Sequence, residues 1–204
     1  MNLYIGSGDV KSLLMGKETK GYKDLFRKFV SDTTPYYNAL ASPIDALRTG
    51  AILEEKYLLT LANSYYPQVK SYSKEMDVFS SSLDFAKMEA GKIADFDELK
   101  TIWFTDFVEL IQPMQSLSES ELQVKIQKDF KTYYNQIQEQ LYTTELDSCN
   151  LVFLAVMSYE DDVNYLREIK ENEVIKLRIH RNQSVIDKIK DAGQIFQTIK
   201  NNFK

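Results

Sequence analysis

The sequence predicts an α+β fold, a mixed β-sheet flanked by helices, with residues 1–204 forming a single domain. Three observations carry this. "NLVFLAVMS", residues 150–158, is a continuous apolar run, as expected of a strand covered on both faces. Residues 77–88 and 93–102 read as two more strands, joined by a turn at Glu89, Ala90, Gly91 and Lys92. Segments of helical periodicity stand on either side of these strands, and no repeat, low-complexity tract or Gly/Ser linker divides the chain.

The elements follow in order. "ASPIDALRTGAILEEKYLLTLA", residues 41–62, reads as a helix with Ser42 as N-cap, Pro43 at the first helical position and Asp45 completing a capping-box-like start. Ile44, Leu47, Ala51, Leu58 and Leu61 fall near one face and are its expected core side. After the hairpin, residues 121–144 form one long helix with Phe130, Tyr134, Ile137 and Leu141 at core spacing. The buried strand comes next, then a strand over "EVIKLRIHR" and a final amphipathic helix from Ser184.

Composition narrows the chemistry. A single cysteine, Cys149, excludes an intramolecular disulfide, and with one histidine, His180, it leaves no Cys/His metal centre. Any metal here is a hard, oxygen-liganded ion such as Mg²⁺. The opening "MNLYIGSGDVK" has neither a basic nor an apolar leader region, and no apolar run approaches the roughly 20 residues that span a bilayer. These features predict a cytoplasmic protein with no membrane segment. The net charge of −5 and pI near 5.1 argue, in bulk, against a nucleic-acid partner. A local basic patch can override that balance. Lys17, Lys20, Lys23, Arg27 and Lys28, interleaved with Tyr22 and Phe26, are one such cluster, with a solvated helix face as the simpler reading.

The chemistry-bearing stretch is "SLDFAKMEAGKIADFDELKTI", residues 82–102. Residues two apart in a strand share a face, so Glu98 and Lys100 point together and Leu99 points away. The hairpin brings Asp84 within reach of that face. Two carboxylates with the Leu99 backbone carbonyl make a hard-oxygen site for Mg²⁺, and Lys100 beside it is placed to stabilise a hydroxide. That set suits phosphodiester hydrolysis, although acid–X–Lys by itself is common among solvated strand charges. Two further features add to it. Gly50, in a helix interior where glycine costs about 1 kcal/mol relative to alanine, suggests close approach of another backbone. Glu54, one turn later, then points at the hairpin as a third carboxylate. Tyr133, Gln136 and Gln140 form a polar stripe of neutral hydrogen-bonding groups beside the core face of their helix.

The ordered set Gly50-x-x-x-Glu54, Asp84, Glu98-Leu99-Lys100 and Tyr133-Tyr134-Asn135-Gln136-Ile137-Gln138-Glu139-Gln140-Leu141 resembles the phage lambda exonuclease or YqaJ-type viral recombinase family, within the PD-(D/E)xK nuclease superfamily. The likeness covers about residues 5–155. It implies a restriction-endonuclease-like core. It also implies a site in which Asp84, Glu98, the Leu99 carbonyl and Glu54 hold two Mg²⁺ ions (or Mn²⁺), Lys100 is catalytic and Gln136 orders the site or the scissile phosphate. Ser7, Gln140, Lys20, Lys23, Arg27 and Lys28 are the residues expected on the DNA. The implied activity is a viral recombination exonuclease that digests linear duplex ends 5′ to 3′ and leaves 3′ single strands. Its implied partners are a single-strand annealing protein and two further copies in a homotrimer. The sequence departs from the family at Leu83, where proline is usual, at Phe85, where glycine is usual, and at Ile5-Gly6-Ser7-Gly8-Asp9-Val10, where the serine is displaced. The family's upstream arginine, which grips a 5′-phosphate, is not expected in this sequence, which leaves polarity open. The alternatives are another PD-(D/E)xK enzyme, an endonuclease or structure-selective repair nuclease, or a non-catalytic DNA-binding assembly protein on the same fold.

Overall fold

A computed structural model of the chain describes residues 3–31 and 39–203. Its order is β1 (Ile5–Gly6), α1 (Val10–Leu13), α2 (Lys20–Val30), α3 (Asp45–Leu58), β2 (Tyr65–Tyr72), β3 (Phe79–Glu89) and β4 (Lys92–Trp103). There follow α4 (Phe104–Asp106), which runs on through irregular helical turns to Ser116, α5 (Glu119–Asp129), α6 (Lys131–Thr144), β5 (Ser148–Val156), α7 (Asp161–Leu166), β6 (Val174–His180) and α8 (Gln183–Asn202). The strands form one mixed sheet in the order β1-β3-β4-β5-β6, with β2 also paired to β3. The β1–β3 and β4–β5 pairs are parallel and the rest antiparallel.

β5 shows why the sheet is a middle layer. Cys149, Leu151, Phe153 and Ala155 join the larger core, beneath α1, α2, α5, α6 and α8, while Val152, Leu154 and Val156 join a smaller core beneath α3. The apolar run is continuous because both faces are covered. The β3–β4 hairpin turns through Ala90 and Gly91, with φ of 49° and 76°. Two left-handed residues match the right-handed twist of the flanking strands.

Three expectations change. The helix expected from Ser42 starts at Asp45, with Ile44 as its cap; the Ser42 hydroxyl instead accepts from the Ile44 N–H at 3.1 Å. The buried face of α3 is Thr49, Ile52, Leu53 and Tyr57, whereas Ile44 and Leu47 are exposed. A tyrosine whose hydroxyl has a buried partner draws the helix round by about one residue. The helix expected over 121–144 is two helices, broken at Phe130 (φ −121°, ψ 39°). No proline or glycine marks the break; it lays the Phe130 ring against Phe153 and Tyr133. β2 was not among the expected strands; its Pro67 sits at the sheet margin, where an N–H can be spared. Among the described residues no helix is long and apolar enough to cross a membrane.

Candidate active site

Paired residues of β3 and β4 run from Glu89↔Lys92 up to Phe85↔Asp97 and stop there. Just beyond, the carboxylate Oδ2 of Asp84 accepts from the Leu99 N–H at 2.9 Å. A side chain therefore takes the place of the ladder where the strands part, and Asp84 is fixed opposite Glu98.

From this point β4 alternates. Asp97 and Leu99 face the α3 layer, while Glu98 and Lys100 face α6. Glu98 is 1% exposed. Its Oε1 accepts from Lys100 Nζ at 2.6 Å and Gln136 Nε2 at 2.5 Å, and its Oε2 accepts from Gln140 Nε2 at 2.6 Å. Gln136 and Gln140 are four apart on α6 and so share a face. Tyr133, one turn earlier, puts its ring 5.3 Å from Lys100 Nζ. The polar stripe of the sequence is thus turned wholly toward Glu98 and Lys100.

The electrostatics are crowded. Burial, then the neighbouring Glu98 and Glu54, push the Asp84 carboxyl well above its ordinary range, despite Lys100 and the Leu99 N–H. Burial also raises Glu54, which feels Lys100 and Glu98. Burial disfavours the Lys100 ammonium, but Glu98 and Asp84 outweigh it and its pKa rises. Glu54, Asp84, Glu98 and Lys100 therefore sit within one another's fields, with three carboxyls to one ammonium. That donor set suits a hard divalent cation in chemistry. In position it is incomplete: among the described residues no three His, Cys, Asp or Glu side chains stand together as metal ligands, and Glu98 is held by its three donors.

Other expected site residues lie apart. Ser7 is buried in the turn Ser7–Asp9, packed against β3 and α6, with little surface to offer a strand. α2 packs on α1 and, through Tyr22, Phe26 and Phe29, on Phe196 of α8. Of its cations, Lys23 pairs with Glu18, Arg27 with Asp24 and Lys28 with Asp9, while Lys20 is exposed. Gly50 is not at a close backbone approach: an added Cβ would meet only Thr101 Oγ1 at 3.7 Å, an ordinary contact.

Among the described residues, two fully buried acids were not anticipated. Asp97, fully buried, accepts from Tyr57 Oη at 2.8 Å, Asn150 Nδ2 at 2.8 Å and Lys176 Nζ at 2.7 Å. Glu139, also fully buried, accepts from Ser81 Oγ at 2.6 Å, and burial pushes its carboxyl well up. The readable signal for Asp97 was an acid on the second face of a strand that is covered on both sides.

No protein-family model matches the sequence, and no curated protein sequence matches it significantly. Solved structures do match. An alkaline exonuclease from Laribacter hongkongensis superposes with a TM-score of 0.60 at 15% identity, over 96% of this chain and 87% of that one. Its complex with dAMP gives 0.59 at 15% identity, over the same shares. A phage-related exonuclease from Haemophilus somnus gives 0.56 at 14% identity, over 98% of this chain and 96% of that one. At these identities the likeness lies in the fold, and the chain shares the fold of the alkaline and phage-related exonucleases.

Proposed function

We propose that this chain is a metal-dependent deoxyribonuclease of the phage exonuclease type, which digests linear duplex DNA from its ends. The observation that carries the reading is the meeting of Asp84, Glu98 and Lys100 where β3 and β4 part, with Glu54 in their field and Gln136 and Gln140 on Glu98. The shared fold supports it.

Glu54, Asp84 and Glu98 are the residues that would hold Mg²⁺ or Mn²⁺, with the Leu99 carbonyl as a backbone candidate. A bound divalent ion supplies charge neutralisation at phosphate oxygens and a more acidic water. Lys100, held by Glu98 Oε1, keeps N–H donors for the attacking water and for charge building on the phosphate. Gln136 and Gln140 fix the Glu98 rotamer, so Lys100 is oriented before substrate arrives. The finer features belong to the same proposal: 5′-to-3′ polarity, two ions, 3′ single-stranded products, a homotrimer and a single-strand annealing partner in viral recombination.

The test is incubation of wild-type protein and Glu98→Gln with linear duplexes bearing 5′-phosphate or 5′-hydroxyl ends, and with a closed circle, with and without Mg²⁺. The expected result is Mg²⁺-dependent release of mononucleotides from linear DNA by the wild type alone. Cleavage of the closed circle would make the enzyme an endonuclease on this fold. Digestion by Glu98→Gln at the wild-type rate would remove the site assignment.

A further inference from the structure

At the far end of β4 the chain encloses a second feature. A cleft of about 470 Å³ lies between Ile102 and the start of α6, with an apolar floor that includes Ile102, Phe130 and Tyr133. Its rim carries Lys11, Lys128 and Lys131. None of these three lysines forms an ion pair with another described residue, in contrast to Lys23, Arg27 and Lys28 on α2. Asp129, also on the rim, is paired with Lys125 at 2.8 Å, and that bond holds its carboxyl below the ordinary range. Lys128 also lies in the field of that carboxylate, without an ion pair to it. Lys131 opens α6, whose cap residue Phe130 offers the first N–H groups no side-chain acceptor, so the helix end adds positive potential. Tyr133 joins the two places, since the ring that lines the cleft also lies beside Lys100 Nζ.

We propose that this cleft holds the nucleic-acid strand beside the cleavage centre, with backbone phosphates on Lys11, Lys128 and Lys131 and the sugar–base surface on the apolar floor. This rests on the nuclease reading above and names where its substrate lies. An acidic protein binds a polyanion only where cations are left uncompensated, and among the described residues the cleft gathers three lysines without an ion pair where α2 has one, Lys20. The cleft, not α2, is then the electrostatic footprint.

The experiment measures binding of a short 5′-phosphorylated duplex in EDTA, where no cleavage occurs, as a function of salt. Wild type is compared with the triple variant Lys11→Gln, Lys128→Gln, Lys131→Gln and with Lys20→Gln, Lys23→Gln, Arg27→Gln on α2. Each phosphate contact contributes about 0.9 to the slope of log K against log salt, so the cleft variant should lose between about 2 and 3 of that slope while the α2 variant keeps it. Matching thermal unfolding curves establish that all three proteins are folded. An unchanged slope in the cleft variant, or an equal loss in the α2 variant, overturns the proposal. Inorganic phosphate and thymidine 5′-monophosphate, titrated in place of the duplex, separate a free-anion site from a strand site. Either of them binding wild type as tightly as the duplex also overturns it. Wild-type protein that binds through the cleft but never cuts with Mg²⁺ sinks the nuclease reading and leaves the strand site standing.

Discussion

Replacing Asp84 by asparagine should destroy activity and stabilise the fold. Asp84 is buried, lies in the fields of Glu98 and Glu54, and has one backbone donor, Leu99 N–H at 2.9 Å. An asparagine keeps a carbonyl oxygen for that donor and removes the charge. Each unit by which surroundings raise a carboxyl pKa costs the folded state about 1.4 kcal/mol once the group ionises. The variant should therefore be the more stable at mildly alkaline pH, by about 1.4 kcal/mol for each such unit. For a chain of this size, each kcal/mol raises Tm by about 2–4 °C. The sign with pH is fixed. A folded pKa above the unfolded one means that the native state holds its proton longer. Wild-type stability therefore falls as pH rises from the unfolded value through the folded one. The variant lacks that slope, so its advantage should be small near pH 4 and grow upward through the folded pKa. The assay is thermal unfolding of both proteins in EDTA across that range. Added Mg²⁺ should then raise the wild-type Tm and leave the variant nearly unmoved. An Asp84→Asn protein less stable than wild type at pH 8, or an advantage independent of pH, would refute the reasoning.

Lys100→Ala should lower single-turnover cleavage by orders of magnitude while duplex affinity in EDTA stays near wild type; a mutant that mainly loses binding would make Lys100 a phosphate-positioning group. Tyr57→Phe should cost about 1.5–3 kcal/mol in urea unfolding, because it removes a hydrogen bond to the buried Asp97, which also pairs with Lys176. Gly193→Ala should destabilise by about 1–3 kcal/mol, since its Cβ would sit 2.4 Å from the Phe79 ring inside the core; an unchanged denaturation midpoint would mean that α8 shifts freely on β3.

What the sequence revealed depended on how local the signal was. β5 was legible because burial on both faces leaves an unbroken apolar run, and the hairpin because Ala90-Gly91 supplies two residues at positive φ. The core face of α3 was misread. Ile44 and Leu47 are as apolar as any core residue, and Tyr57 turns inward only because Asp97, forty residues away, awaits its hydroxyl. The break at Phe130 had no local mark either: it is set by the rings of Phe153 and Tyr133, one of them distant in sequence. In the site, period 2 puts Glu98 and Lys100 on one face and period 3.6 puts Gln136 and Gln140 on another, but periodicity does not show that the two faces meet. A charge run such as that of α2 does not show its partners; the acids that pair with Lys23, Arg27 and Lys28 lie up to nineteen residues away, as Asp9 does from Lys28.

The two adjacent acids of β4 divide the energetic labour of this fold. Asp97 meets a hydroxyl, an amide and an ammonium, so its buried charge is compensated and ties three elements together: α3 through Tyr57, β5 through Asn150 and β6 through Lys176. Burial first, and Asp97 next, push the Tyr57 hydroxyl pKa up, so it stays a donor at every physiological pH. Glu98, one residue on, faces a region with too few cations for its carboxyls. Crowded acids of that kind persist only where the surrounding frame is rigid enough to hold them. Tyr57 lies three residues after Glu54 on α3, close to the same face. The bond that anchors the helix to Asp97 therefore also keeps Glu54 in the field of Glu98 and Lys100. A compensated charge on one face of a strand sustains a crowded cluster of acids on the other.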